Sequence, residues 1–119
     1  MKTVFIVDDN ATNLVTAKTA LEGTYKAYAM PSADKMFQLL EKITPDLILL
    51  DVEMPEMGGF EAIKILKSKP ETKDIPVIFL TASIVSEDRL EGLTLGAIDY
   101  ISKPFHASLL LQRIKINIG

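Results

Sequence analysis

The stretch Asp46-Leu47-Ile48-Leu49-Leu50-Asp51-Val52-Glu53-Met54-Pro55 restricts this chain more than any other. Four large apolar side chains follow one another without polar alternation, which suits a strand covered on both faces in a parallel sheet. A short run of this kind is also compatible with a piece of buried helix. Pro45 and Asp46 before it and Pro55, Gly58 and Gly59 after it hold it to strand length. The run ends in a carboxylate, so Asp51 falls where open α/β sheets bind ligands, outside the carboxyl ends of the strands.

The remaining chain repeats the theme. Thr3 to Asp8 is a second apolar run ending in acid, followed by Asp9 and Asn10, and Asn10 can cap a helix bearing Leu14, Ala17 and Leu21. Gly23 stops that helix, and Tyr25 to Ala29 reads as an exposed edge strand. Ser32 can cap a helix carrying Met36, Phe37, Leu39, Leu40 and Ile43, ended by Pro45. Phe60, Ile63 and Leu66 mark another helix, closed by Ser68 to Pro70. Ile75 to Thr81 is a further buried strand with its proline near the start. A helix from about Val85 to Leu95, with Ser83 or Ser86 as cap and Gly96 as stop, precedes a short strand at Ile98 to Ile101. Phe105 to Ile118 forms the last helix, with Leu109, Leu110 and Ile114 toward the core. Five strands alternating with five helices predict a doubly wound α/β layer, parallel through right-handed crossovers with helices on both faces.

At 119 residues the expectation is one domain, 1–119, with a single core. A hydrophobic content of 48% excludes disorder, and a net charge of -3 argues against a nucleic-acid surface. Without cysteine, disulfides and thiolate metal sites are impossible. With neither a signal-peptide pattern nor a long apolar span, a cytoplasmic protein off the membrane is expected.

Asp8, Asp9, Asp51, Thr81 and Lys103 all fall at strand ends, on one predicted rim. Singly, each has an ordinary reading: cap, solubilising acid, sheet-ending threonine, loop lysine. His106 is read as a surface residue, since a lone histidine anchors no usual zinc site. Jointly, the acids repel one another unless a cation joins them, and oxygen-only ligands suit Mg²⁺, for which Mn²⁺ can substitute. Asp9 and Asp51 are the expected direct ligands, with Asp8 acting through water and Glu53 through its backbone carbonyl. Aspartate is among the few side chains that accept a phosphoryl group, a transfer that needs positive charge around the phosphoryl oxygens. Lys103 offers such charge and Thr81 a hydroxyl donor.

The ordered set Val7-Asp8-Asp9, Leu50-Asp51-Val52-Glu53-Met54-Pro55-Glu56-Met57-Gly58-Gly59, Thr81-Ala82 and Asp99-Tyr100-Ile101-Ser102-Lys103-Pro104-Phe105 resembles the receiver domain of two-component response regulators, across essentially the whole chain. The resemblance implies the flavodoxin-like strand order 2-1-3-4-5, an order given in general terms for a receiver of this class. It implies Asp51 as phosphoacceptor from a histidine kinase or histidine phosphotransfer protein, and Thr81 and Tyr100 as switch residues. It further implies a cis Lys103-Pro104 bond and slow self-catalysed dephosphorylation, which makes "enzyme" a matter of definition. Thr81 would move toward the phosphoryl group, and Tyr100 would turn in from an exposed rotamer. The surface of the fourth helix, fifth strand and fifth helix would then signal to a target protein or a C-terminal output domain. A phosphorylation-dependent homodimer through that face is compatible with this, though no exposed stripe demands one. The competing readings are a constitutive interaction module and a Mg²⁺-dependent phosphatase. A flavin site is disfavoured because Asp8, Asp9 and Asn10 oppose an anion after the first strand.

Overall fold

The computed structural model describes residues 1–82 and 86–119. Strands and helices alternate as β1 (Thr3–Val7), α1 (Ala11–Leu21), β2 (Lys26–Met30), α2 (Ala33–Leu40), β3 (Leu47–Asp51), α3 (Gly59–Ser68), β4 (Val77–Thr81), α4 (Ser86–Thr94), β5 (Asp99–Ser102) and α5 (Ala107–Ile118). The strands form one parallel sheet in the order β2-β1-β3-β4-β5. β3 and β4 are buried at every position, as unbroken apolar runs require, while the edge strand β2 is partly exposed. No helix among the described residues is long and apolar enough to cross a membrane.

Local signals act where expected, with shifts of a residue or two. Asn10 caps α1 by accepting the Asn13 N–H at 3.0 Å, and Ser32 caps α2 by accepting that of Lys35 at 3.2 Å. α2 ends at Leu40 and does not reach Ile43, because the N–H groups of Lys42 and Ile43 both return to the Leu39 carbonyl at 2.9 Å and tighten the last turn. Pro76 precedes β4, and α5 begins at Ala107, two residues after Phe105. His106 is its exposed N-cap. The expected cap at Ser83 and helix start at Val85 lie outside the described residues.

Side chains alternate across a strand, and this alternation divides the core in two. Val4, Ile6, Leu47, Leu49, Ile78, Leu80 and Ile101 face α1 and α5, with Ala17, Leu21, Leu110 and Ile114 packed on them. Phe5, Val7, Ile48, Leu50, Val77 and Phe79 face the other way, onto Met36, Ala62, Ile63 and Leu66 of α2 and α3. Each fully buried leucine or isoleucine contributes about 1.5–3 kcal/mol.

Candidate functional site

Strand register dictates which acids meet. Val7 pairs with Leu50 across β1 and β3, so Asp8 and Asp51, each the next residue along, emerge side by side. The alternation that turns Val4, Ile6, Leu47 and Leu49 toward α1 and α5 gives Asp8 and Asp51 the same side, and Lys103 follows Ile101 there. The Lys103 N–H donates to the Thr81 carbonyl at 2.8 Å, fixing the chain beyond β5, and the Lys103-Pro104 peptide is cis.

The Lys103 ammonium bridges the two acids, 3.0 Å from Asp8 Oδ2 and 2.9 Å from Asp51 Oδ1. Asp8 is wholly buried and accepts two more donors: the Asn10 N–H on Oδ1 at 2.9 Å and the Asn13 amide on Oδ2 at 3.2 Å. Asp51, 2% exposed, accepts the Glu53 N–H on Oδ1 at 3.2 Å, whereas its buried Oδ2 has no partner among the described residues. Burial pushes the Asp51 carboxyl up to about 7; the Lys103 hydrogen bond opposes this and the Asp8 charge adds to it. Burial disfavours the Lys103 ammonium, but hydrogen bonds and charge from Asp51 and Asp8 outweigh it and leave the group raised above its ordinary value.

Asp9, Asn10, Asn13, Asp51, Glu53, Ala82 and Lys103 line a cleft of about 360 Å³ over this cluster. One carboxylate oxygen from each of Asp8, Asp9 and Asp51 lies within 4.8 Å of the others. An all-oxygen set with a bare buried oxygen fits a hard divalent cation. A larger hollow of about 510 Å³ between α2 and the end of α3, lined by Phe37, Lys69 and Thr72, holds no converging buried acids.

The loop after β3 doubles back tightly. Gly59 N–H donates to the Val52 carbonyl at 2.9 Å, and a Cβ at Gly59 would stand 2.5 Å from the Asp51 carbonyl oxygen, so a side chain there would displace the backbone that aims Asp51. Glu56 in the same loop is held at φ 68°, a region non-glycine residues seldom enter.

Thr81 is buried and follows Phe79 by two residues, so it points away from α1 and α5, toward the side that Tyr100 also shares. The Tyr100 ring lies 5.9 Å from that of Phe79. A Cβ at Gly92, inside α4, would sit 2.0 Å from the Tyr100 hydroxyl and 2.9 Å from Phe79 ring carbons. The family resemblance implied a tyrosine turning in from an exposed rotamer; here Tyr100 is half-buried, with its hydroxyl already against α4. Two contributors escaped the sequence reading, Asn13 and Gly92. The available signals were an amide in a helical first turn that has no acid, and a glycine mid-helix.

Residues 4–115 match the response regulator receiver domain family, and the chain belongs to it. It is 40% identical over 116 residues to a probable cyclic di-GMP phosphodiesterase of Vibrio cholerae, covering 98% of this chain and 26% of that protein. It is 38% identical to the phosphate regulon transcriptional regulatory protein PhoB of Pseudomonas aeruginosa, over 96% of this chain and 50% of PhoB. The chain therefore spans between a quarter and a half of these curated relatives. Among solved structures, the chemotaxis protein CheY4 of Vibrio cholerae superposes with a TM-score of 0.93 at 28% identity, covering 100% of this chain and 99% of that one.

Proposed function

We propose that residues 1–119 act as one receiver domain, a phosphorylation switch in which Asp51 accepts a phosphoryl group from a histidine kinase or histidine phosphotransfer protein in the cytoplasm. The observation that carries this reading is the Lys103 bridge between Asp8 and Asp51, with Asp51 Oδ2 left uncommitted. Asp9 and Asp51 would hold Mg²⁺ directly, Asp8 through water and Glu53 through its backbone carbonyl. Bound there, the ion supplies positive charge to the phosphoryl oxygens.

In the transfer, an Asp51 carboxylate oxygen bonds to phosphorus as the phosphorus–nitrogen bond of the donor breaks, and the departing imidazole keeps the electron pair and takes a proton. Lys103 is already within hydrogen-bond distance of the accepting carboxylate and follows the charge onto the product. Phosphorylation adds roughly -1.5 to -2 charge and new acceptor oxygens, which draw the Thr81 hydroxyl and so bias the Tyr100 side of the sheet. The α4-β5-α5 surface then acts on a target protein or on an output domain of a longer regulator. Addition of beryllofluoride with Mg²⁺ should shift amide resonances of Asp51, Thr81 and Tyr100 in the wild type and leave D51A unchanged.

A second reading, a constitutive interaction module, draws on the placement of Tyr100, tucked against α4 with its ring 5.9 Å from that of Phe79. Identical spectra with and without beryllofluoride in the wild type would select it.

A further inference from the structure

We propose that Asn13 is a positioning residue, whose side-chain amide holds the Asp8 carboxylate in the orientation from which it serves a cation and releases Lys103. This rests on the reading of the acidic cleft given above. In a helix capped at Asn10, the third helical position often carries an acid that reaches back to the cap's own N–H. Here that N–H is already donated to Asp8 Oδ1 at 2.9 Å, which leaves such an acid nothing to bind. The first turn of α1 carries no acid at all, although the helix dipole favours one, and position 13 carries an amide that donates to Asp8 Oδ2 at 3.2 Å. An acid there would face a buried carboxylate of the same charge.

Asp8 Oδ2 is shared between Asn13 and Lys103. When Lys103 turns to a phosphoryl group on Asp51, Asn13 is the side-chain donor that stays. A wholly buried carboxylate oxygen stripped of donors is costly, so the amide lowers the barrier to releasing the lysine. Groups that hydrogen-bond a metal's partners fix their aim, and their removal commonly weakens metal binding by about 10–100-fold.

The test is Asn13→Ala in the full chain. The variant keeps the backbone N–H that Asn10 caps and gains helix propensity, but Asp8 Oδ2 loses one donor and keeps Lys103, so its melting temperature in EDTA should fall by only a few degrees. Calorimetric titration with Mg²⁺ should show affinity about tenfold weaker. Phosphorylation from acetyl phosphate at subsaturating Mg²⁺ should slow by a similar factor, with its dependence on acetyl phosphate concentration unchanged. Equal Mg²⁺ affinity in the two proteins would overturn the proposal, as would an equal loss of affinity in Ala17→Gly, which destabilises the same helix and leaves the Asn13 amide on Asp8. A wild type that binds no Mg²⁺ overturns the functional reading itself, an outcome distinguishable because it does not depend on the variant.

Discussion

The two sides of the sheet's carboxyl rim are built on opposite plans. Toward α1 and α5, three charged groups are locked by short contacts at the floor of the cleft: Asp8 and Asp51 are buried and Lys103 joins them. Toward α4, the packing is inverted. The helix turns Leu90 and Leu93 outward, 67% and 49% exposed, while Gly92 lies inward over Tyr100. A helix that buries a glycine and exposes its leucines has little apolar area holding it down, the property expected of an element that moves. In the proposed switch the chemistry falls to the first side and the response to the second, and the sheet between them carries Asp51 and Thr81 on adjacent strands.

The largest test of this contrast is Lys103→Met. It leaves two buried acids without their cation, so unfolding in urea at about pH 9 with EDTA, above the wild-type titration of Asp51, should show a loss of about 3–5 kcal/mol. Most of that loss should vanish in D51N/K103M, and a full loss in the double variant would show that the charges are not the cause.

Next comes the pH dependence of the metal-free protein. The folded carboxyl of Asp51 titrates at about 7, above its unfolded value of 3.8, so between those values the folded state binds the extra proton. The stabilisation is therefore full below about pH 4 and is lost as pH rises through about 7, by roughly 2–4 kcal/mol. Asp51→Asn should flatten this slope in EDTA melts, and an unchanged slope would assign the titration elsewhere.

On the α4 side, Gly92→Ala should destabilise by about 1–3 kcal/mol through overpacking against Tyr100 and Phe79. In a Tyr100→Ala background the Phe79 contact at 2.9 Å remains, so the same change should cost less, under about 1 kcal/mol, as the preference of a helix for alanine offsets part of it. An equal cost in both backgrounds would dissolve the contrast between the two sides. The smallest effect belongs to the half-exposed pair of Arg113 and Asp99, 2.9 Å apart. Arg113→Ala should cost under about 1 kcal/mol and less at high salt.

Most of the fold is written in side-chain type. The runs at Leu47–Leu50 and Val77–Leu80 are apolar at every position because both faces are covered, and parallel winding then brings Asp8, Asp51, Thr81 and Lys103 to one rim whatever their distance in sequence. What could not be read depends on contacts between elements. Gly92 has meaning only once Tyr100 is seen beneath it, and the Asn13 amide only once Asp8 is placed before the first turn of α1. The left-handed backbone of Glu56 is imposed by the loop that must return from Asp51 to Gly59, and no local preference announces it. Helix ends moved for a similar reason: at Leu39, backbone hydrogen bonding tightened the chain before Pro45 was reached.

In the proposed switch Asp51 carries the phosphoryl group with help from Lys103 and a divalent cation. The most direct measurement is the intact mass of the protein after incubation with acetyl phosphate and Mg²⁺. The account predicts one phosphoryl addition, absent with EDTA and absent in Asp51→Asn. An unmodified wild type, or an addition that persists in Asp51→Asn, would contradict it.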